Sequence, residues 1–296
     1  MTSKLSLLES IQTGLYERTG KLTDLQWVQG LHGGDINRAA LIKSGQTNWF
    51  VKYHVNAPEG MFEAEALALE KIAATECIRV PEAVAWGSDD DTSWLVLEHL
   101  ELTSNGPAEL LGEQLAAMHE VTGDAFGWPH DNYIGSTPQF NQETDNWVDF
   151  WRDHRLKPQL AMAEAAGFGR RLSGSGERLL ASLDQFFGDH KPAPSLLHGD
   201  LWSGNKAFTT AGQPVIFDPA SYYGDREADI AMTELFGGFG SAFYSAYQSH
   251  SPLPDGYTLR RELYNLYHML NHLNLFGGGY LSRCESIIDG LLAEIQ

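Results

Sequence analysis

The chain has 296 residues, which is enough for one large or two modest domains with a sizeable core. Its 39 acidic and 20 basic residues give a formal charge of -19, which disfavours binding to nucleic acid and anionic membranes. The two cysteines, Cys77 and Cys284, match no zinc or redox spacing and give no disulfide framework. No segment has the apolar length of a membrane span or of a signal peptide, so we expect a cytoplasmic protein. We also expect it to be a monomer.

The first third of the chain predicts a helix followed by a small antiparallel sheet. Residues 4–18 have apolar side chains at helical spacing. Three strand-like segments follow between residues 27 and 53, and the first turn between them is rich in glycine. Such a turn lets backbone N–H groups approach phosphates closely, although a Gly-Gly hairpin alone is weak evidence. The helical apolar residues are Leu5, Leu8, Ile11 and Leu15, and the turn residues assigned to nucleotide binding are Gly33, Gly34, Asp35 and Asn37.

Lys52 lies in an apolar strand between Val51 and Tyr53, a context similar to the V-A-I-K strand of kinases. A lysine buried in such a strand needs an anionic partner, because an unpaired buried charge is costly. The helix predicted over residues 61–70 offers Glu63 and Glu65, which point in different directions. We favour Glu65 as the partner and keep Glu63 as the alternative. Lys52 is then predicted to hold the α- and β-phosphates of a nucleotide, whereas the alternative is a solvated acidic helix face.

An apolar strand over residues 94–100 leads towards the best candidate for a lobe boundary, which is the segment Ser104-Asn105-Gly106-Pro107. In a bilobal kinase this strand reaches the hinge, where backbone groups of Glu98 and Leu100 would bond the adenine edge. The resulting division is an N-lobe over residues 1–103 and a C-lobe over residues 104–296.

The early C-lobe predicts helices separated by one irregular segment. Residues 108–121 and 176–187 form helices, and a long helix begins at Asn146. Residues 126–135 are aromatic and broken by glycine and proline, which is more typical of a substrate-side loop than of a regular element. His119, near the end of the first helix, receives no functional role.

Two short apolar segments then lead into polar loops, over residues 196–205 and 215–219. The first loop contains Asp200 and Asn205, spaced as in the H-R-D-x-x-x-x-N loop of protein kinases, and Asp218 follows as the D-F-G aspartate does. Phosphoryl transfer needs a carboxylate that accepts the hydroxyl proton and oxygen ligands for magnesium. A lone aspartate is usually a solvated turn residue, but three at this order and spacing argue against that. We therefore predict Asp200 as the base and Asn205 and Asp218 as metal ligands.

Residues near these loops supply candidates for the acceptor site. Trp202 follows Asp200 by two residues, so its ring could cover a substrate, or it could pack under the loop as core. Tyr222 and Tyr223 could border the acceptor. Asp229 is predicted to cap or orient the structure beneath the active site.

The last helices have an apolar face formed by leucines. His268 and His272 are spaced four apart, as metal ligands can be, but the glutamate of the H-E-x-x-H motif is absent and zinc is disfavoured. The leucines of the apolar face are Leu263, Leu266, Leu270 and Leu273.

Taken together, these motifs resemble the fructosamine kinases, or ketosamine-3-kinases, which are relatives of the aminoglycoside phosphotransferases. The most specific mark is Trp202 in His198-Gly199-Asp200-Leu201-Trp202, because H-G-D alone is common in small-molecule kinases. The resemblance implies an α+β, bilobal, protein-kinase-like fold with a small antiparallel-sheet N-lobe and a larger, mostly helical C-lobe. Some relatives have cysteine where this chain has Asp35, so thiol control of the phosphate loop is not expected. Further matching segments are Gly33 to Asn37, Phe50 to Lys52, Met61 to Glu65, Tyr223 to Glu227 and Leu266 to Asn274.

The resemblance implies ATP- and Mg²⁺-dependent phosphorylation of the sugar 3-hydroxyl of a ketosamine, either free or bound to protein. The 3-phosphate destabilises the adduct and frees the amine, which serves deglycation. The residues alone indicate ATP, magnesium and a hydroxyl acceptor, whereas the ketosamine comes only from the resemblance. Two alternatives are a kinase of another hydroxyl compound, such as an aminoglycoside or choline, and a catalytically dead nucleotide-binding module. Four residues argue against the second alternative, namely Lys52, Asp200, Asn205 and Asp218.

Overall fold

The computed structural model describes residues 4–21, 24–31, 37–89 and 91–295. Two compact units divide the chain: Met1–Gly106 with Ala207–Asp218, and Pro107–Lys206 with Pro219–Gln296. Our division at residues 103 and 104 remains a prediction. In chain order the helices and strands are α1 (Lys4–Thr19), β1 (Gln26–Leu31), β2 (Arg38–Ser44), β3 (Thr47–Val55), α2 (Met61–Ala73), β4 (Ala83–Asp89), β5 (Thr92–Glu98), β6 (Leu102–Thr103), α3 (Ala108–His119), β7 (Asn132–Ile134), β8 (Thr137–Gln139), α4 (Trp147–Phe150), α5 (Lys157–Ala163), α6 (Gly169–Ala181), α7 (Asp184–Phe187), β9 (Ser195–Leu197), β10 (Lys206–Thr209), β11 (Pro214–Ile216), β12 (Tyr222–Gly224), α8 (Glu227–Leu235), α9 (Ser241–His250), α10 (Tyr257–Phe276) and α11 (Leu281–Glu294).

The first unit is built on a five-stranded antiparallel sheet with strand order β1-β2-β3-β5-β4. Strand β3 is central, with Val51 and Lys52 at consecutive positions that face opposite sides of the sheet. Val51 lies in an apolar cluster with side chains of α1, so Lys52 faces the other side. The apolar stripe of α1 differs from our prediction, since Leu7 is buried and Leu5 is 66% exposed. A smaller sheet in the order β11-β10-β6 completes this unit.

The second unit is mostly helical, and α10 is its central element. The predicted apolar face of α10 is confirmed, because its four leucines are fully buried. Helices α5, α8 and α11 all pack against α10. Burying this continuous face contributes apolar contact that holds the helices together. These leucines are Leu263, Leu266, Leu270 and Leu273.

Short irregular features connect the helices of the second unit. A π-helical turn at Trp151–Leu156 joins α4 to α5, so the long helix predicted from Asn146 is not regular. The helix predicted over residues 176–187 is instead two helices, because α6 ends at Ala181 and α7 begins at Asp184. The segment predicted as an irregular loop contains strand β7, which pairs with β8 in a hairpin. Within the part of the chain that the structure describes, no helix is long and apolar enough to span a membrane.

Candidate active site

Strand β3 and helix α2 place Lys52 beside two carboxylates within the first unit. The Lys52 Nζ lies 2.8 Å from both carboxylate oxygens of Glu65 and 3.1 Å from Asp218 Oδ1. Glu63 lies on the exposed side of α2, so Glu65 is the partner. Lys52 is only 6% exposed, and the two carboxylates compensate its charge in this buried position.

The electrostatics of this cluster keep Lys52 charged. Burial alone would lower the pKa of Lys52, but attraction to Asp218 and Glu65 outweighs it and raises that pKa above the usual range. Burial raises the pKa of Glu65 to about 7, against the opposing effect of Lys52. A protonated ammonium with fixed direction is the group that the phosphates of a nucleotide require.

Asp218 lies two residues after the end of β11, in a conformation that is unusual for a residue with a side chain. Its φ is 60°, in the left-handed region that non-glycine residues rarely adopt. Its side chain is 43% exposed, although one oxygen contacts the buried Lys52. The strain and the exposure together present a carboxylate oxygen to ligands, which suits the predicted role of Asp218 as a magnesium ligand.

The loop that contains Asp200 begins directly after the fully buried strand β9, and a side chain of helix α8 anchors it. Asp229 on α8 accepts hydrogen bonds from the backbone amides of His198, at 2.7 Å, and Gly199, at 2.8 Å. The ring of His119 lies with Nε2 at 3.1 Å from Asp229 Oδ2 and Nδ1 at 2.8 Å from the Tyr247 hydroxyl. Asp229 therefore orients this loop, as predicted. The sequence did not reveal that His119 supports Asp229, because a single histidine at a helix end gives no indication of its partner.

Asn205 holds Asp200 from within the same loop. Its side-chain Nδ2 donates to the Asp200 carbonyl oxygen at 2.8 Å and approaches Asp200 Oδ2 at 3.4 Å. A 3₁₀ turn over Ser203–Asn205 places the asparagine there. Because the Nδ2 of Asn205 donates to Asp200, the side-chain amide oxygen of Asn205 is the atom suited to bind a hard cation.

Gly199 is required by a close approach of two loops in the second unit. Its φ is +85°, and an added Cβ would lie 2.0 Å from the Ala220 carbonyl oxygen. The Ala220 amide in turn donates to the His198 carbonyl at 2.9 Å. The segment after Asp218 is thereby bonded directly to the H-G-D loop.

Trp202 is 38% exposed, which does not fit the interpretation of its ring as core. The ring covers Gly204, where an added Cβ would lie 2.3 Å from it, and meets Phe236 edge-on at a centroid distance of 6.2 Å. Of the two tyrosines that could border the acceptor, Tyr222 is buried and Tyr223 is half-buried. Tyr223 is therefore the more accessible candidate.

Comparison with known proteins identifies the relationship that these loops indicate. A family model described as fructosamine kinase matches residues 7–294. The chain belongs to the fructosamine kinase family. A probable ketoamine kinase of Synechocystis sp. is 46% identical over 286 residues, which are 95% of this chain and 95% of that one. The chloroplastic protein-ribulosamine 3-kinase of Oryza sativa subsp. japonica is 42% identical over 94% of this chain and 82% of its own length.

A solved structure shows that the fold is also shared. A Haemophilus somnus 129PT protein provisionally named fructosamine-3-kinase superposes with a TM-score of 0.89 at 30% identity, covering 96% of this chain and 97% of that one. This match, the antiparallel sheet of the first unit and the helical second unit confirm the predicted α+β, protein-kinase-like fold of a fructosamine kinase.

A polar clamp on the segment after Asp218 in this family member was not predicted. From the β7–β8 hairpin, Asn132 Nδ2 donates to the Ser221 carbonyl at 2.8 Å and Gln139 Nε2 donates to the Ala220 carbonyl at 3.0 Å. Tyr267 on α10 donates to Gln139 Oε1 at 2.7 Å, which fixes the orientation of that amide. The sequence shows only polar residues in a segment broken by glycine and proline, so no pattern revealed the clamp.

Of the four turn residues assigned to nucleotide binding, the structure describes Asn37. Gly33, Gly34 and Asp35 lie outside the described residues, and Asn37 Oδ1 lies 3.1 Å from the Nδ1 of His54. The structure leaves their role in binding a nucleotide as a prediction.

The hinge candidates lie at and just after the end of β5. The Glu98 amide donates to the Glu82 carbonyl at 2.9 Å, and its side chain pairs with Arg79 at 2.6 Å. The amide of Glu98 is therefore engaged, and the binding of adenine by backbone groups of this segment stays a prediction. Leu100, two residues on, is half-buried and lies outside any strand.

In the histidine pair on α10, a local contact engages the ring of His272, and the ring of His268 is buried. The Nδ1 of His272 lies 2.8 Å from the His268 carbonyl oxygen, and burial lowers the pKa of His268 to about 3. In the described ranges, the group with metal-ligand spacing is instead His190, Asp225 and Glu227. Arg260 already forms two hydrogen bonds to Glu227, at 2.7 and 2.8 Å, so this group is best explained as a buried ion-pair network.

Proposed function

We propose that this chain is an ATP-dependent kinase that phosphorylates the 3-hydroxyl of ketosamines. The observation that carries the phosphotransfer is the cluster of the buried Lys52 and Glu65 with the partly exposed Asp218, with Nζ–oxygen distances of 2.8 and 3.1 Å. The choice of ketosamine is supported by the relatives named for ketoamine and ribulosamine substrates. A cytoplasmic monomer that binds neither nucleic acid nor membranes is part of the proposal, and its two unpaired cysteines and charge of -19 support it.

The proposed reaction follows from the groups that the two loops present. Asp200 accepts the proton of the sugar 3-hydroxyl as its oxygen attacks the γ-phosphorus of ATP. The bond between that phosphorus and the bridging oxygen breaks, and ADP leaves. Lys52 holds the α- and β-phosphates and offsets their charge. A ketosamine 3-phosphate then eliminates phosphate and frees the amine, which accounts for deglycation.

Magnesium fits the donor set that the proposal assigns to it. Asp218 offers an exposed carboxylate and Asn205 an amide oxygen, which are hard oxygen ligands of the kind that Mg²⁺ prefers. When bound, the metal would neutralise negative charge on the phosphates. The backbone groups of Glu98 and Leu100 are proposed for adenine, and Gly33, Gly34, Asp35 and Asn37 are proposed for the phosphates. Trp202 is proposed to cover the sugar.

Magnesium-dependent ADP release tests the proposal with a panel of acceptors. The panel contains synthetic fructosyl-, ribulosyl- and erythrulosyl-amines together with an aminoglycoside and choline. We expect kcat/KM for at least one ketosamine to exceed that for the aminoglycoside and choline by about 10² or more. A higher kcat/KM for the aminoglycoside or choline would indicate another class of small-molecule kinase. The absence of ADP release with every acceptor would indicate a nucleotide-binding module without kinase activity.

A further inference from the structure

A buried chain of hydrogen bonds runs from Arg155, in the π-helical turn, to the segment that follows Asp218. The Arg155 Nη2 donates to Asn141 Oδ1 at 2.8 Å, and Asn141 Nδ2 donates to Asn132 Oδ1 at 2.8 Å. The chain ends where Asn132 Nδ2 donates to the Ser221 carbonyl at 2.8 Å. All of these donors and acceptors belong to the second unit.

The direction of this chain of hydrogen bonds is fixed at both ends. A guanidinium only donates hydrogen bonds, and a backbone carbonyl only accepts them. The two asparagine amides between these ends therefore have one orientation in which all the bonds are made. Each side chain of the network is at most 3% exposed, so water competes little for its polar groups. A buried network with one arrangement holds its backbone partners rigidly.

Gln139 joins this network to a second carbonyl of the same segment. Its Nε2 donates to Asn132 Oδ1 at 2.8 Å and to the Ala220 carbonyl at 3.0 Å. Its Oε1 accepts from the Tyr267 hydroxyl at 2.7 Å. Both amide hydrogens of Gln139 are thus used, and the side chain cannot rotate without losing buried hydrogen bonds.

Ala220 connects the network to the loop that contains Asp200. Its amide donates to the His198 carbonyl at 2.9 Å, and its carbonyl oxygen lies 2.0 Å from the position of an added Cβ on Gly199. Asp200 is the next residue after Gly199. The carbonyl of Ala220 is therefore held by Gln139, while the rest of its peptide supports the backbone that leads into the predicted base.

We propose that Gln139 is a positioning residue for phosphoryl transfer, because it fixes Ala220 and thereby the backbone that carries Asp200. This inference rests on the proposed function, in which Asp200 accepts the proton of the acceptor hydroxyl, and deepens it. Gln139 acts through Ala220 rather than on the substrate. Its effect is on the geometry of proton transfer, where a displacement of about 1 Å can cost about 10² in rate.

Gln139→Met tests this role, because methionine is an unbranched side chain of similar length that forms at most weak hydrogen bonds. We expect kcat for a fructosyl amine to fall at least about tenfold, while KM for ATP stays within about twofold of wild type. The assays are run at a temperature at which both proteins are fully folded by circular dichroism. Amide hydrogen exchange over residues 196–205, followed by mass spectrometry, should be about tenfold faster in the variant.

Two further variants accompany this comparison. Thr233→Val removes a buried hydroxyl of α8 that donates to the Ile230 carbonyl at 2.7 Å and lies 3.2 Å from the Tyr244 hydroxyl. It should keep the wild-type kcat and the wild-type exchange over residues 196–205. Tyr267→Phe keeps the ring and removes one hydrogen bond to Gln139, so it should fold readily and lower kcat about threefold.

An unchanged kcat in folded Gln139→Met would overturn the inference, and turnover by wild type would leave the proposed function standing. If Gln139→Met did not fold, an unchanged kcat in Tyr267→Phe would overturn it in the same way. An equal loss of kcat in Thr233→Val would also contradict it, because any missing buried hydrogen bond would then have the same effect. If wild type turned over no acceptor, the proposed function would fail, and hydrogen exchange would decide whether Gln139 positions the loop.

Discussion

At the scale of single residues, the buried charge of Lys52 depends on two carboxylates that come from distant parts of the sequence. Glu65 contacts it with both oxygens at 2.8 Å, and Asp218 contacts it at 3.1 Å. Glu65 is nearly as buried as Lys52, whereas the Asp218 side chain is 43% exposed. The two acids therefore differ in their surroundings: Glu65 is buried against the lysine, whereas Asp218 is the carboxylate that we propose for a bound metal.

Replacing Asp218 tests this proposal. Asp218→Asn keeps the shape but removes a negative charge from the metal site, so we expect ADP affinity in the presence of Mg²⁺ to fall about tenfold. Affinity measured without metal should change little, because Lys52 still has Glu65 as its partner. Calorimetric titration of ADP with and without Mg²⁺ checks this result. If wild type and variant bound ADP with equal affinity in the presence of Mg²⁺, Asp218 would not be a metal ligand.

Trp202 gives a second prediction at this scale. Its ring is exposed and contacts Phe236 only edge-on, so Trp202→Ala should change the melting temperature little. KM for the ketosamine should rise about tenfold, while KM for ATP stays near the wild-type value. Steady-state kinetics and thermal unfolding of the same preparation provide both measurements. A strongly lowered melting temperature with an unchanged ketosamine KM would instead identify the ring as core.

At the scale of elements, helix α8 supports the catalytic loop through Asp229. Burial by itself would raise the pKa of Asp229, but hydrogen bonds and attraction from His119, His198 and the Gly199 amide lower it overall. The carboxylate therefore stays ionised at neutral pH and holds two backbone amides of the H-G-D loop at 2.7 and 2.8 Å. Asp229 is thus a positioning residue.

Removing this support should affect both stability and turnover. Asp229→Ala leaves buried backbone amides without their acceptor, so the free energy of unfolding should fall by about 3 kcal/mol. At a temperature where the variant remains folded, kcat should fall while KM for ATP is unchanged, because Asp200 loses its position. Asp289→Ala, at an exposed aspartate of α11, is the matched control. An unchanged kcat in folded Asp229→Ala would limit this residue to a stabilising role.

Helix α10 contributes a pH dependence through His268. Burial first, and then the charge of His272, lowers the pKa of His268 to about 3, against about 6.5 in an unfolded chain. Between these values the unfolded chain binds a proton that the folded protein does not. The contribution of His268 to stability is therefore present above pH 6.5 and lost as the pH falls towards 3.

Urea unfolding at pH 7 and pH 5 measures this effect. The loss of stability between the two pH values should be smaller in His268→Gln than in wild type, by about 2 kcal/mol at pH 5. The same pH dependence in both proteins would contradict the lowered pKa.

At the scale of the whole molecule, the sequence predicted elements whose information is local. Apolar periodicity indicated α10, and strand alternation indicated the sheet around Lys52, because both depend on residues that are near neighbours in sequence. Spacing also predicted Asp200, Asn205 and Asp218 as a set, and their shared role stays a prediction. We favoured Glu65 over Glu63 as the partner of Lys52, and the structure pairs Glu65 with Lys52.

Features that depend on distant contacts could not be predicted in this way. His119 supports Asp229 across 110 positions of sequence, and Gln139 bonds Ala220 across 81. Neither residue belongs to a periodic pattern or a spaced motif. The π-helical turn after α4 is similar, since nothing in its composition distinguishes it from an ordinary helix. Single polar residues thus gain their roles only from tertiary packing.

The central claim is that Asp200 directs phosphate onto the 3-hydroxyl of a ketosamine, and the position of the phosphate tests it most directly. Two-dimensional ³¹P–¹H NMR of the product formed from ATP and a fructosyl amine should show coupling of phosphorus to the proton on C3. Asp200→Asn should form this product at least about 10² times more slowly while still binding ATP. Coupling to a proton on any other sugar carbon, or near-normal product formation by Asp200→Asn, would contradict the account.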